Sequence, residues 1–243
     1  MATVGELDKA TKAKRGTAAL QVFWIPAIAL MLTILAAWAL KPVVDRVLAS
    51  ASVHQCDTMV LEWFRAQATP TLDRTVLAFS LLGSPFAMLV YAFVGLTTLM
   101  NRRQWLLLFT WDVLFVGMLV LTQTVKPILS RTRPTGSEQF LSSMSYSFPS
   151  THALSAIAAF GMMAFALNET VEIQRESRAV LWVLTIVLIL AIGTSRLYLG
   201  VHYLSDVLAG FLMGGAWLGV CLFALRRAKI HRELAIKSPA FRS

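Results

Sequence analysis

The sequence predicts an all-α integral membrane protein, a single bundle of six transmembrane helices with short interfacial helices in one outer loop. Composition is the first observation behind this reading. Of 243 residues, 57% are hydrophobic and only 14% charged, whereas soluble domains carry about a quarter charged residues. Mean hydropathy is +0.66. The second is distribution: the apolar residues gather in charge-poor runs of about 18 residues or more, long enough to cross a bilayer core. Third, the basic residues fall between these runs in an alternating order that assigns sides.

Residues 1–21 read as a polar, loosely ordered cytoplasmic segment. The first span is 22–41, VFWIPAIALMLTILAAWALK. Its long basic flank and the charged Asp45 and Arg46 before the small-residue stretch at 49–51 argue against a cleaved leader. In the loop at 42–75, CDTMVLEWFRAQATPTLDRT mixes apolar and charged residues at near-helical spacing, which predicts one or two short helices at the outer interface. The second span, 76–100, has Gly-Ser-Pro at 83–85, a signal for a bend or break. Spans three to six are 105–125, 151–168, 179–195 and 204–225, and 226–243 is a basic cytoplasmic tail. The six-span core is thus 22–225, within one domain covering 1–243.

In the last span, Gly210, Gly214, Gly215 and Gly219 give small-xxx-small spacing for close helix packing. Asp112 in the third span is an intramembrane carboxylate; its distance from the other unusual residues favours a bundle-facing side chain hydrogen-bonded to a neighbour over a proton relay. Cys56 and Cys221 fall on opposite sides and are expected not to pair.

The net charge of +9 is carried at helix ends. Lys9, Lys12, Lys14 and Arg15 precede the first span, Arg102 and Arg103 follow the second, and Arg175 and Arg178 separate the fourth and fifth. Arg226, Arg227, Lys229, Arg232, Lys237 and Arg242 form the tail. All share one side, which the positive-inside rule makes cytoplasmic, along with both termini. This arrangement suits anionic lipid headgroups and a topology signal rather than nucleic acid. The loops at 42–75, 126–150 and 196–203 then face outward.

Three outward stretches carry unusual chemistry. In KPILSRTRP, Lys126 and Arg133 are seven positions apart, nearly two turns if helical, although Pro127 and Pro134 leave that geometry open. Two fixed cations suit a phosphate-sized anion; alone, they also fit basic side chains snorkelling at a helix end. In FPSTHALSA, Ser150 or Thr151 caps a helix whose free N–H groups suit phosphate, and His152 stands in the first turn, placed to donate a proton. Alone, this is also an ordinary capped helix. In SRLYLGVHYLSD, Arg196 adds a cation, and His202 and Asp206 are four apart, sharing a face if the last helix begins near 202. A carboxylate on one imidazole nitrogen fixes the tautomer and frees the other lone pair for attack, yet HxxxD alone is also a common structural pair. The three together on one face make a phosphoryl-transfer site.

These stretches resemble the phosphatidic-acid-phosphatase type 2 superfamily of membrane lipid phosphatases, whose signatures are K-x6-RP, PSGH and SR-x5-H-x3-D. Here they read Lys126–Arg133–Pro134, Pro149–Ser150–Thr151–His152 and Ser195–Arg196–His202–Asp206, with every spacing kept. The resemblance implies that His202 forms a phosphohistidine, that Asp206 orients it, and that His152 protonates the leaving group and then activates water. It further implies that Lys126, Arg133, Ser150, Arg196 and backbone N–H groups near Thr151 hold phosphate oxygens, with no cofactor. Thr151 stands where the family has glycine, which keeps the N–H donor and adds bulk.

The expected substrate is a lipid phosphate or diphosphate presented by the bilayer. For a bacterial host, undecaprenyl diphosphate leads, followed by phosphatidylglycerol phosphate, phosphatidate or lipid A; sphingoid phosphates enter because hydroxyl residues replace the glycine in some branches. A lipid-to-lipid phosphotransferase is the competing enzymatic reading. A transporter or lipid-binding protein has no use for the two histidines. No metal is expected, since the motifs supply one carboxylate, already assigned to His202.

Overall fold

The computed structural model describes residues 4–137 and 145–237, with side chains from 22 to 137 and from 145 to 234. Eight helices and one 3₁₀ turn build the described residues, which contain no strand. Helix α1 (Val4–Leu48) begins far earlier than the first apolar run. The segment expected to be loosely ordered is helical from Val4 onward. Its Ala, Lys, Glu, Leu and Arg residues are strong helix formers, and a long apolar helix already lies downstream to be extended.

After α1 come the two short outer helices, α2 (Ala51–Ala66) and α3 (Pro70–Ser80). Thr69 caps α3 by accepting from the Leu72 N–H at 3.3 Å, with Pro70 in the first turn. A 3₁₀ turn, Leu81–Gly83, then leads into α4 (Pro85–Asn101). At this break Ser84 is extended, its hydroxyl accepts from the Ala87 N–H at 3.2 Å, and Pro85 starts the next helix. The Gly-Ser-Pro signal therefore produces a new helix start rather than a mild kink. The two helices meet at 41° across this break, so the apolar stretch is bent sharply rather than continuous.

Helices α5 (Trp105–Leu129), α6 (Thr151–Thr170), α7 (Arg175–Tyr198) and α8 (Leu204–Lys237) complete the bundle. With α1 and the α3–α4 pair, they give up to six candidate spans. Helix α8 continues well past 225, so the start of the basic tail is an extension of the last span. Arg242, and residues 138–144 of the loop expected to face outward, lie outside the described residues.

The protein centre is formed by α5, α6 and α8, where Leu114, Leu121, Leu154, Met162, Trp217, Cys221 and Leu225 are buried in one cluster. The outer faces of α1, α4 and α7 expose Trp38, Phe86 and Leu184 among other large apolar residues, as expected where lipid replaces water. Lipid removes the hydrophobic drive for helix association, leaving close packing to hold the bundle. At Gly210 and Gly214, α8 lies so near α6 that an added Cβ would come 2.5 Å from the Ser150 and Leu154 carbonyl oxygens, respectively. Gly219 faces open space and takes no part in this contact. Both cysteines are free, Cys56 exposed and Cys221 buried. Asp112 is half-buried but has no side-chain hydrogen bond among the described residues, contrary to the bonded neighbour its position suggested.

The basic ends of the helices meet at the end of the bundle opposite α2. There Arg102 Nη1 donates to the Thr170 carbonyl at 2.9 Å, and Lys229 pairs with Glu169.

Candidate active site

Four chain segments converge at the other end: the C-terminal ends of α5 and α7, and the N-terminal ends of α6 and α8. Lys126 occupies the last turn of α5 and is buried. Its ammonium donates to the Tyr146 carbonyl at 2.8 Å and lies within electrostatic range of Arg133, Asp206 and Arg196. The helix stops at Leu129, and Ser130 adopts a left-handed φ of 46° that turns the chain out of the helical path. Arg133 is therefore not on a shared helix face with Lys126; the open question raised by the two prolines resolves to an irregular strap.

That strap is fixed in place. Arg133 Nε donates to the Ser145 carbonyl at 2.7 Å, Nη2 to the Ser145 hydroxyl at 3.0 Å, and Nη1 to the Val201 carbonyl at 2.7 Å. The same Nη1 stands 3.1 Å from His202 Nε2. A guanidinium only donates, so Nε2 faces it with its lone pair and the ring hydrogen sits on Nδ1.

His202 precedes α8, which starts at Leu204, so His202 and Asp206 do not form a helical i,i+4 pair as the spacing suggested. They meet nonetheless because the chain bends back at Gly200, whose φ is +67°. His202 Nδ1 lies 3.3 Å from Asp206 Oδ2. Both residues are buried, at 1% and 0% exposure, so the pair is shielded from water. Burial comes first, with the Arg133 and Arg196 cations adding to it; against the pull of Asp206, they bring the imidazole down from 6.5 to about 3. The ring is thus neutral at physiological pH.

Asp206 is more heavily bonded than the motif implied. Oδ2 also accepts from the Tyr203 backbone N–H at 2.9 Å and from the Ser147 hydroxyl. Oδ1 accepts from Arg131 Nη1 at 2.6 Å. The other arm of that guanidinium, Nη2, donates to Asp57 Oδ2 at 2.8 Å, and its face covers the Tyr203 ring at 4.3 Å. Asp57, buried to 1% exposure in α2, also accepts from Ser205 N at 2.9 Å and Ser205 Oγ at 2.6 Å. Burial works against the Arg131 charge, but Asp206 and Asp57 outweigh it and raise the guanidinium above its ordinary value. Removing one member of such a buried ionic group costs about 3–5 kcal/mol because its partner is left uncompensated.

Ser150 is the N-cap residue of α6, yet its hydroxyl makes no cap bond and is buried with no partner among the described residues. Its N–H donates to the Asp206 carbonyl at 3.0 Å, fixing α6 to α8. Thr151 is the first and His152 the second residue of α6, both half-buried. His152 lies within electrostatic range of Arg196, His202, Lys126 and Arg133. Arg196 is buried in the last turn of α7; its Nη1 donates to Ser80 Oγ at 2.7 Å, while its Nε is unpartnered. Two buried polar groups without partners, Ser150 Oγ and Arg196 Nε, thus belong to the same cluster as the histidines.

The broken second span closes the site from the side. A Cβ on Gly83 would lie 2.6 Å from Ile192 and 3.3 Å from the His152 ring, so the turn after α3 sits directly on that histidine. Arg65 Nη1 of α2 donates to the Tyr198 carbonyl at 3.2 Å, tying the outer helices to the end of α7.

All eight residues singled out in the sequence belong to this end of the bundle: Lys126, Arg133, Ser150, Thr151, His152, Arg196, His202 and Asp206. Sequence reasoning missed Arg131, Asp57, Ser147 and Ser80. Arg131 was visible as an extra cation inside KPILSRTRP; the others carried no local signal.

A family model of the PAP2 superfamily matches residues 105–229, from the start of α5 to most of α8. The chain belongs to this superfamily. It is a multi-pass membrane phosphatase of the PAP2 type. It is similar to phosphatidylglycerophosphatase B of Bacillus subtilis, 28% identical over 151 residues, covering 60% of this chain and 71% of the relative. An undecaprenyl-diphosphatase of Sulfolobus acidocaldarius is 32% identical over 114 residues, covering 45% of this chain and 50% of that protein. Among solved structures, a transmembrane PAP2-type phosphatidylglycerolphosphate phosphatase from Bacillus subtilis superposes with a TM-score of 0.66. That match has 22% identity and covers 84% of this chain and 98% of the other. The superposition shows a shared fold.

Proposed function

We propose that this PAP2 protein hydrolyses the terminal phosphate of a membrane lipid phosphate or diphosphate through a phosphohistidine on His202. One observation carries the reading: His202 Nδ1 faces Asp206 Oδ2 at 3.3 Å while Nε2 sits 3.1 Å from Arg133, inside a cluster of cations. A neutral ring with its hydrogen on Nδ1 presents the Nε2 lone pair as a nucleophile, and Arg133 is placed to attract a phosphoryl oxygen to that lone pair.

In the first step the Nε2 lone pair forms the N–P bond as the P–O bond to the lipid breaks. The departing oxygen keeps the electron pair and takes a proton from His152. In the second, His152 accepts a proton from water, the resulting hydroxide attacks phosphorus, and the N–P electrons return to Nε2 as phosphate leaves. Lys126, Arg133, Arg196, the Ser150 hydroxyl and the first N–H groups of α6 at Thr151 hold the phosphate oxygens. The unpartnered Ser150 Oγ and Arg196 Nε suit this role.

The substrate is amphipathic, with its tail in the bilayer and its phosphate at the bundle end. Positive charge at the opposite end supports a cytoplasmic location for both termini and an outward site in the cytoplasmic membrane. The relatives include enzymes named for a phosphatidylglycerol phosphate and for undecaprenyl diphosphate. Undecaprenyl diphosphate is the first candidate for a bacterial host. Phosphate release from a panel of lipid mono- and diphosphates by detergent-purified protein tests this function. Release from at least one lipid is expected, and release from none overturns it.

A further inference from the structure

We propose that Asp57 and Arg131 form with Asp206 a charge-balancing clamp, in which Asp57 is a positioning residue that offsets Arg131 and so leaves the negative charge of Asp206 uncompensated toward the nucleophile. The inference rests on His202 as the attacking group. Asp57 lies in α2, outside the stretch that matches the family and outside every signature motif. It nevertheless reaches the site through one intermediary.

The geometry is a chain of three charges. Arg131 spans two carboxylates, with Nη1 on Asp206 Oδ1 at 2.6 Å and Nη2 on Asp57 Oδ2 at 2.8 Å. Asp206 turns its other oxygen, Oδ2, to His202. When Nε2 bonds to phosphorus, the ring keeps its Nδ1 hydrogen and becomes cationic. Asp206 is the carboxylate in contact with that ring, whereas Arg133 and Arg196 oppose a further positive charge there.

Arg131 alone would cancel the Asp206 charge on the side away from the ring. Asp57 cancels Arg131 instead, leaving the trio with a net charge of −1 to meet the phosphoimidazolium. Ser205 holds Asp57 to this task, donating to it through both N and Oγ. The Tyr203 ring against the guanidinium keeps water from that face and fixes the plane of the fork.

A docking role alone, with Asp57 merely anchoring α2 to α8, makes a different prediction. Charge balance can be restored by removing the cation as well, whereas docking cannot. The test uses detergent-purified full-length protein: wild type, Asp57→Asn, Asp57→Asn/Arg131→Gln and Asp57→Glu. Single-turnover phosphate release and KM are measured with short-chain phosphatidylglycerol phosphate, phosphatidate and farnesyl diphosphate, using whichever the wild type hydrolyses.

Asp57→Asn is expected to slow the phosphorylation step about tenfold, one uncompensated charge acting through protein at short range. Its KM should stay near wild type, because the phosphate cradle is untouched. The double variant, again at net −1, is expected to be at least about threefold faster than Asp57→Asn. Asp57→Glu keeps the charge and should stay within about threefold of wild type. An unchanged rate in Asp57→Asn, a raised KM with unchanged rate, or a folded double variant no faster than the single each overturns the clamp. Should Asp57→Asn not accumulate as folded protein, the Glu variant decides: a folded Asp57→Glu slowed tenfold or more at wild-type KM also overturns it. A wild type inactive on all three lipids would instead overturn the phosphatase reading and the clamp with it.

Discussion

Gly210→Ala is the sharpest available perturbation of the way the bundle holds its site. The new Cβ would lie 2.5 Å from the Ser150 carbonyl oxygen, 2.9 Å from the Ala153 Cβ and 3.2 Å from the Leu154 N. Ordinary contact begins near 3.4 Å, so α6 must retreat from α8 by about 0.9 Å. Two of the three obstructing atoms are backbone and cannot rotate aside. Overpacking of this kind costs about 1–3 kcal/mol of stability. The effect on chemistry is expected to be larger than the effect on folding. Ser150 donates its N–H to the Asp206 carbonyl, and His152 follows two residues later, so the retreat moves His152, the proposed proton donor, away from His202, the proposed nucleophile. A misplacement near 1 Å in a reacting constellation costs about 10²-fold. The control is Gly219→Ala, where nothing lies within 4 Å of the new Cβ and only the helix-propensity gain of alanine remains. Phosphate release and thermal unfolding of both purified variants measure the contrast. Full activity in Gly210→Ala, or an equal loss in Gly219→Ala, would refute the reasoning.

Other predictions concern protonation, leaving groups and metals. Unfolded protein protonates His202 below about pH 6.5, while the folded ring refuses the proton until about pH 3. Unfolding therefore takes up a proton within this window, and His202 makes stability fall as pH drops through it. Histidine-selective ¹⁵N NMR checks the folded ring, whose nitrogen shifts should stay constant from pH 8 to 5; titration near 6.5 contradicts the buried, cation-flanked geometry. His152→Ala should slow monophosphate hydrolysis by the upper part of a range of about 10²–10⁴-fold and diphosphate hydrolysis by less, since an alkoxide needs a proton more than a phosphate monoester does. Equal factors in single-turnover assays would remove His152 as the leaving-group acid. Activity should persist in excess chelator, because the two carboxylates of this cluster, Asp57 and Asp206, are already bridged by Arg131; loss restored by a single divalent ion contradicts this.

The spans were legible because bilayer thickness imposes a run length that composition cannot hide. Gly-Ser-Pro at 83–85 signalled a bend or a break without deciding between them; the Ser84 cap on the Ala87 N–H with Pro85 in the first turn makes it a break. The constellation was readable because its members come in short motifs: Lys126 with Arg133, Ser150 with His152, and Arg196 with His202 and Asp206. Local geometry was harder. Lys126 and Arg133 looked like helical neighbours, but the left-handed Ser130 ends α5 between them. His202 and Asp206 have helical spacing, yet a turn at Gly200 and the start of α8 at Leu204 bring them together by another route. Asp57 was unreadable in principle. It is 148 residues from Ser205, its nearest partner in α8, and no periodicity links an interfacial helix to the mouth of a distant span. Ser80, on Arg196, is hidden for the same reason. The α1 extension through 4–21 was misread because polarity was taken for looseness, although helix propensity there is high.

Rapid quench of the protein with radiolabelled lipid phosphate, followed by denaturation and mapping of the bound label, tests the central claim most directly. The account predicts an acid-labile, base-stable phosphoryl group on the peptide containing His202 in wild type. It predicts no label and no turnover in His202→Ala, and a small residual activity in Asp206→Asn, which still orients the ring without balancing its charge. Label on another residue, or turnover by His202→Ala at the wild-type rate, would contradict it.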